Sequence, residues 1–215
     1  MANSKFHHEE IFRGEDLTQK LGAKQLVICG GGALGSNLVD SLVRQGFSKI
    51  RLIDMDRVEI HNLNTQTFDE GDVGAMKATA IQTKAYRSVG VEIEAVTKEL
   101  KAGNAKKLLK GADLVIDAFD NSKSRQLVRD ECRKQKIPCL HSGLHADYGE
   151  VVWDEAYTVP DDGGKDVCDY PLARNLAMLV VAMTCEEIVD FCLSDNPRLE
   201  SRCITLADLK IGLYR

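Results

Sequence analysis

The sequence predicts an α/β fold: a mostly parallel sheet with helices on both faces and an antiparallel edge in the C-terminal third. Short apolar runs alternate with helical patterns as far as about residue 136, which indicates a parallel sheet. Alternating segments then flank one long apolar helical pattern, which indicates an antiparallel edge. The 215 residues suffice for one sizeable core, so we expect a single domain over 1–215.

The parallel part follows from the order of its elements. One or two short helices are expected over 8–23, before the first strand. Buried strands are predicted over 25–29 and 113–119. An alternating strand that ends in an acid is predicted over 49–54, and a strictly alternating, half-exposed strand over 91–97. Helices are predicted over 34–46, 74–88, 104–110 and 121–136.

The C-terminal third has a different pattern. Antiparallel strands are predicted over 149–158 and a loop over 160–165. The longest apolar helical pattern covers 172–193 and suits either the core or a dimer face. A final strand pair is expected over 203–214.

Composition narrows the classes of function. The net charge of −5 argues against a general nucleic-acid binder. No apolar run reaches the ~18 residues of a membrane span, and the first ten residues lack the apolar stretch of a signal peptide, so we expect a cytoplasmic protein without a membrane segment. The seven cysteines form no C-x-x-C pair, which leaves a zinc site without support. We expect Cys29, Cys139, Cys185 and Cys192 to be packing residues.

A glycine-rich turn follows the first predicted strand. Gly30, Gly32 and Gly35 form a G-x-G-x-x-G pattern between a strand and a helix, which is typical of a Rossmann-like nucleotide-binding unit. The first glycine permits the tight turn, the second lets the backbone approach a phosphate, and the third lets the helix pack closely. The pattern alone fits sites for NAD, FAD or ATP.

An acid ends the second strand. Asp54 follows Gly30 by 24 residues, the position at which such a unit places the carboxylate that binds ribose hydroxyls. Up to this point, an enzyme that uses NAD fits as well as one that uses ATP.

Polar residues beyond the second strand favour a triphosphate. Asp56, Asn62, Asn64 and Gln66 cluster just outside the strand end. Lys77 stands at the predicted start of a helix, where the helix dipole disfavours a cation, so its place makes sense if it faces an anion.

A second acidic turn follows the strand over 113–119. Asp120 and Asn121 are expected at its carboxyl end, beside the glycine loop, where open α/β sheets bind ligands. Phosphates repel an acid unless a cation bridges them, so Asp120 implies bound Mg²⁺.

These motifs, in this order, resemble the ThiF/MoeB/HesA family, which shares its fold with the ubiquitin-activating enzymes. The resemblance rests on G-x-G-x-x-G, D-x-D, N-x-N-x-Q, V-G-x-x-K and D-N-x-x-x-R, and it covers about residues 10–193. It implies an ATP site in which the three motif glycines line the phosphates and Asp54 holds the ribose. It further implies that Asn62 and Lys77 contact phosphates and that Asp120 binds Mg²⁺; Asp56, Gln66 and Asn121 belong to the same nucleotide-binding set.

The resemblance also implies a reaction and partners. The substrate would be the C-terminal carboxylate of a small ubiquitin-like or sulfur-carrier protein ending in Gly-Gly, and the products an acyl-adenylate and pyrophosphate. A C-terminal carboxyl is ionised at neutral pH, so catalysis is chiefly positioning and cancellation of charge.

Three further roles are carried over from the family. In some relatives a cysteine placed as Cys168 is here accepts the acyl group. Relatives are homodimers in which an arginine such as Arg13 enters the neighbouring subunit's ATP site. Arg125 is expected either to order the turn at Asp120 and Asn121 or to form a surface salt bridge.

The sequence departs from the family at one position that bears on activity. Thr65 stands where the family usually has an arginine, and losing one preorganised donor to a phosphate can cost about 3–4 kcal/mol. Two alternatives therefore stay open. One is a catalytically weak nucleotide-binding pseudoenzyme or scaffold. The other is an NAD-dependent oxidoreductase, for which His141 and His145 are the only acid–base candidates.

Overall fold

One mixed sheet of eight strands organises the molecule. The computed structural model describes residues 4–161, 171–194 and 199–214. The strand order is β3-β2-β1-β4-β5-β6-β7-β8; the first five strands run parallel and the last three pair antiparallel. The strands are β1 (Gln25–Cys29), β2 (Lys49–Ile53), β3 (Glu94–Val96), β4 (Leu114–Asp117), β5 (Cys139–His145), β6 (Tyr148–Trp153), β7 (Arg202–Thr205) and β8 (Ile211–Leu213). The predicted fold class is confirmed.

Helices cover both faces of the sheet. They are α1 (His7–Arg13), α2 (Leu17–Ala23), α3 (Ala33–Gln45), α4 (Lys77–Val89), α5 (Ala102–Leu109), α6 (Ser122–Gln135) and α7 (Arg174–Leu193). Helices α2, α3, α4 and α7 contribute to one apolar cluster on the sheet, and α5 and α6 contribute to a second. Two short 3-10 turns, Ile60–Asn64 and Glu70–Asp72, lie between β2 and α4.

Helix α7 belongs to the core. Its residues pack in the same cluster as α3 and the strands β5 and β6, and Cys185 and Cys192 are buried in it, as predicted. Burial raises the pKa of each of these two thiols to about 12, so both are protonated at neutral pH. Cys29 and Cys139 are also buried, in the cluster on the opposite face. Within the described ranges, no helix combines the length and the apolar character of a membrane span.

Three elements differ from the prediction. The helix expected from residue 74 begins at Lys77, because Gly74 and Ala75 hydrogen-bond with Val58 across the preceding loop. The strand expected over 91–97 is limited to Glu94–Val96, the residues that pair with β2. The segment predicted over 149–158 contributes only β6, whose antiparallel neighbour is β5.

The topology places two loops side by side. Strand β1 lies between β2 and β4, and Cys29 pairs with Asp117, so the loops after β1 and β4 leave the same edge of the sheet next to each other. This is the point at which the strand order reverses, where open α/β sheets form ligand sites.

Candidate functional site

The glycine loop joins β1 to α3 in a turn that two of its glycines require. Gly30 has φ +101°, and a Cβ added there would lie 2.8 Å from the carbonyl oxygen of Ala118. A Cβ on Gly35 would lie 1.8 Å from the carbonyl oxygen of Gly30. Gly35, the third glycine of the motif, therefore makes room for the loop's own backbone, whereas the sequence analysis expected it to allow close packing of the helix.

Gly32 differs, because the protein leaves space beside it. Gly32 is the N-cap of α3, and a Cβ built there would meet no atom within 4 Å. Within the part of the chain that the structure describes, the backbone N–H groups of residues 32–35 have no hydrogen-bond partner. Open space beside four free donors at a helix N-terminus suits a phosphate group.

Asp54 braces the loop from the end of β2. Its Oδ2 accepts a hydrogen bond of 2.6 Å from the Gly31 N–H, and its Oδ1 accepts one of 2.8 Å from the Asp56 N–H. The residue is only 6% exposed. Burial raises the pKa of Asp54 above its ordinary value, although these hydrogen bonds and the charge of Lys77 oppose the shift. Sequence reasoning foresaw an acid at this position but missed that it holds the loop.

Lys77 lies with the two acids that follow β2. It is the first residue of α4, its N–H donates to the Asp56 carbonyl at 2.8 Å, and its Nζ is 3.4 Å from Asp56 Oδ2. Lys77 is mostly buried, whereas the Asp56 carboxylate is exposed. The structure therefore brings Asp54, Asp56 and Lys77 together, and the aspartates compensate part of the cost of a cation at a helix N-terminus.

The segment over 59–67 lies against the first turns of α3. Asn62 Oδ1 accepts a hydrogen bond from the Glu59 N–H, so this side chain shapes the 3-10 turn. Gln66 is 9% exposed, and its Oε1 is buried without a hydrogen-bond partner. An unpaired buried oxygen is costly, so a ligand or water donor would relieve it.

The turn after β4 carries Asp120 and Asn121 and begins against the glycine loop, where a Cβ on Gly30 would lie 3.2 Å from the Phe119 nitrogen. Asp120 is exposed; Asn121 is the N-cap of α6, accepts a hydrogen bond of 2.9 Å from the Ser124 N–H, and donates to Asp120 Oδ1 at 3.3 Å. Over the described ranges, no three His, Cys, Asp or Glu side chains are grouped so as to hold a metal ion. A carboxylate fits Mg²⁺, which would take its remaining ligands at Asp120 from phosphate oxygens and water.

The surface salt bridge expected as one alternative for Arg125 is wrong, because the side chain is buried; the other alternative, ordering of the turn at Asp120 and Asn121, stays a prediction. The guanidinium is buried and donates to the Tyr157 hydroxyl and to the Ser142 carbonyl, both at 2.9 Å, and it lies 3.9 Å from Asp117 Oδ2. The guanidinium is therefore held away from the surface, near the acid whose Oδ1 accepts a hydrogen bond of 3.2 Å from the Phe119 N–H at the start of that turn.

Arg125 belongs to a buried polar network that the sequence analysis missed. His141 is fully buried, with Nδ1 2.9 Å from Asp117 Oδ2 and Nε2 3.2 Å from Asp154 Oδ1. The imidazole stacks on the ring of Tyr157 at 3.7 Å, and Arg133 pairs with Asp154 at 2.6 Å. The sequence held one signal of this network: Asp117 and His141 are polar residues that each lie in an otherwise apolar strand.

Arg13 is held by partners within its own chain in this structure. Its guanidinium pairs with Glu9 at 2.7 Å and with Glu186 of α7. Its neighbours Ile11 and Phe12 on α1 are strongly exposed. Cys168, the candidate acyl acceptor, lies outside the described residues.

The pH dependence of stability tests the buried network. Although burial acts in the opposite direction, hydrogen bonds from His141 and Arg133 lower the pKa of Asp154 below its ordinary value. We expect Asp154→Asn to lower the free energy of unfolding by about 1–3 kcal/mol at pH 7. Because the pKa of Asp154 is lower in the folded than in the unfolded protein, the ionised carboxylate stabilises the fold above about pH 4. This contribution is lost as the pH falls through the pKa that Asp154 has in the folded protein.

Urea unfolding at pH 7 and pH 3.5 checks this expectation. The difference in the free energy of unfolding between Asp154→Asn and the wild type should be smaller at pH 3.5. Asp130→Asn, at an exposed acid on α6, is the matched control and should leave stability unchanged at both values. A gap of equal size at the two pH values would contradict the assignment.

Two curated proteins are similar to this chain in sequence. The chain is 32% identical over 151 residues to the sulfur carrier protein ThiS adenylyltransferase of Bacillus subtilis, covering 67% of this chain and 45% of that protein. It is 31% identical over 156 residues to the SAMP-activating enzyme E1 of Haloferax volcanii, covering 72% of this chain and 56% of that protein. The chain thus spans about half the length of the curated relatives it matches.

A solved structure shares the fold. The crystal structure of E. coli MccB with ATP superposes with a TM-score of 0.82 and 19% identity, covering 99% of this chain and 72% of that one. The family model for ThiF matches residues 7–198. Because that match includes most of the sequence, the chain belongs to the ThiF family.

Proposed function

We propose that this protein is an ATP-dependent adenylyltransferase that activates the C-terminal carboxylate of a small ubiquitin-like or sulfur-carrier protein. One observation carries the proposal: a glycine loop whose four amides at 32–35 have no partner among the described residues, with open space at Gly32. Asp54, which holds this loop, lies within reach of the Lys77 charge. The relatives described above are named as an adenylyltransferase and an activating enzyme. The oxidoreductase alternative is not favoured; it also lacks an accessible base at His141, which is fully buried between two acids.

ATP fits the site with its phosphates toward the glycine loop. The amides of residues 32–35 and the positive end of α3 would meet the phosphate charge, and Lys77 would add a full positive charge. Each Asp54 oxygen accepts one main-chain bond, so each has a further lone pair for a ribose hydroxyl. Gln66 Oε1, buried and unpaired, suits a hydroxyl or amino donor of the nucleotide. Asn62 supports this arrangement by holding the turn that carries Gln66.

The reaction joins two anions. One oxygen of the carrier's terminal carboxylate forms a bond to the α-phosphorus of ATP, and the bond from that phosphorus to the bridging oxygen breaks, which releases pyrophosphate. The carboxylate is already ionised, so no general base is needed. The protein's work is to hold the reactants in line and to offset their charge through Lys77 and the loop amides. Mg²⁺ held by Asp120 would neutralise phosphate charge when bound.

The partners follow from the same chemistry. A substrate tail ending in Gly-Gly would reach the α-phosphate with little steric hindrance, and we propose such a carrier as the substrate. We also propose a homodimer, for which the exposed Ile11 and Phe12 of α1 offer an apolar surface. Transfer of the acyl group to Cys168 remains a second, optional step of this proposal. We further propose a reducing compartment such as the cytoplasm, because the cysteines that the structure describes are all free thiols.

Pyrophosphate exchange tests the activity. With Mg²⁺, ATP, labelled pyrophosphate and a small carrier ending in Gly-Gly, the protein should exchange label into ATP. Lys77→Ala should lower the exchange rate about 100- to 1,000-fold, because it removes a preorganised cation from the phosphates. Lys84→Ala is the matched control: Lys84 lies on the same helix and pairs with Asp69 and Asp72, so exchange should be unchanged.

Two outcomes would contradict this proposal. Equal exchange by the Lys77 variant and the wild type would remove the lysine from the reaction. Binding of ATP without any exchange, across a panel of such carriers, would favour the scaffold alternative to which Thr65 points.

Mixing two inactive variants tests whether Arg13 acts across a dimer. Arg13 pairs with Glu9 and Glu186 of its own chain, so it would have to leave these two carboxylates to reach the ATP site of a second copy. Alone, Arg13→Ala and Lys77→Ala should each exchange poorly. After subunit mixing, exchange should recover to about a quarter of the wild-type rate, since half of randomly paired dimers hold one complete site. If the mixture is no more active than its components, Arg13 acts within its own subunit or not at all.

A further inference from the structure

Helix α7 begins with a cation in an unfavourable place. Arg174 is its first residue, and no side chain caps that end. The N-terminus of a helix carries a partial positive charge, so an arginine there is disfavoured unless it faces an anion. Lys77 has the same position on α4, whose N-cap also lacks a side-chain hydrogen bond.

The Arg174 side chain reaches the segment that flanks the glycine loop. Its guanidinium NH1 donates a hydrogen bond of 3.2 Å to the carbonyl oxygen of Asn64, a residue 110 positions away. The next residue, Thr65, accepts a hydrogen bond of 2.9 Å from Asn37 Nδ2, and the same nitrogen donates to the Ala33 carbonyl at 2.7 Å. Arg174 is thereby tied, through two residues of this segment, to the first turn of α3.

The segment at 64–66 has no cation of its own. Asn64, Thr65 and Gln66 are uncharged, although Asn37 ties the segment to the first turn of α3. Over the described ranges Arg174 has no acidic partner, whereas Arg13, Arg125 and Arg133 each pair with a carboxylate. The bond to Asn64 uses one of the five guanidinium donors, so several remain for a ligand.

We propose that Arg174 is a further phosphate-binding residue of the ATP site. Anchored on the Asn64 carbonyl, the guanidinium directs its other donors toward the β- and γ-phosphates and supplies the cation that Thr65 does not. Arginine suits this role because its planar fork binds two phosphate oxygens at once. The inference rests on the proposed function and adds a residue from α7 to it.

Calorimetric titration of the full chain with ATP and with AMP, both with Mg²⁺, tests the proposal. AMP lacks the β- and γ-phosphates, so it reports on the remainder of the site. Arg174→Gln should weaken ATP binding about 10- to 100-fold and leave AMP binding within about twofold. Arg174→Lys should lie between Arg174→Gln and the wild type for ATP. Arg44→Gln, at an exposed arginine paired with Asp40 on α3, makes the same charge change and should bind both nucleotides normally.

The outcomes separate the possible roles. Equal weakening of ATP and AMP by Arg174→Gln would mean that Arg174 only holds the segment through Asn64, and normal ATP binding would exclude any role; either result overturns the proposal. If Arg174→Gln fails to fold, Arg174→Lys replaces it in the test and should weaken the binding of ATP but not that of AMP. Absence of binding to the wild type would overturn the proposed function itself.

Discussion

The hydrogen bond from the Gly31 N–H to the Asp54 carboxylate is the constraint on which the candidate site depends. It joins the loop after β1 to the end of β2, at 2.6 Å and away from solvent. With the loop held at Gly31, the next four amides have no partner in the described part of the chain, and they lie at the start of α3. The positive φ at Gly30 and the close approach of Gly35 to the Gly30 carbonyl allow no bulkier residue at either of these two positions. The site is therefore preorganised before any nucleotide binds.

Charge balance gives the site its chemical character. Two cations, Lys77 and Arg174, each begin a helix, at the end where the helix dipole opposes them. Burial raises the pKa of Asp54, and Lys77 partly offsets that shift. An anion bound between the two helices and the N-terminus of α3 would turn these unfavourable placements into favourable ones. A triphosphate attacked by a carboxylate is such a ligand, because the reaction must bring negative charges together.

Much of the architecture could be predicted from the sequence because periodicity and glycine spacing are local signals. They identified the parallel strands other than β5, the glycine loop, and the positions of Asp54, Lys77 and Asp120 at the ends of elements. They did not reveal side-chain partners, which depend on tertiary contacts. The pairing of His141 with Asp117 and Asp154, the burial of Arg125, and the reach of Arg174 to Asn64 link residues 13 to 110 positions apart. The local pattern also predicted that α4 begins at residue 74, three residues too early. It could not reveal the hydrogen bonds that join residues 74–75 to Val58 in the preceding loop.

Amide hydrogen exchange, followed residue by residue by NMR, tests the central claim most directly. The claim is that ATP phosphates lie against the backbone of residues 32–35. Addition of ATP with Mg²⁺ should slow exchange at these amides at least about tenfold, while NAD⁺ at the same concentration leaves them unchanged. Unchanged exchange at 32–35 under saturating ATP would contradict the account, because the nucleotide would then bind elsewhere or not at all.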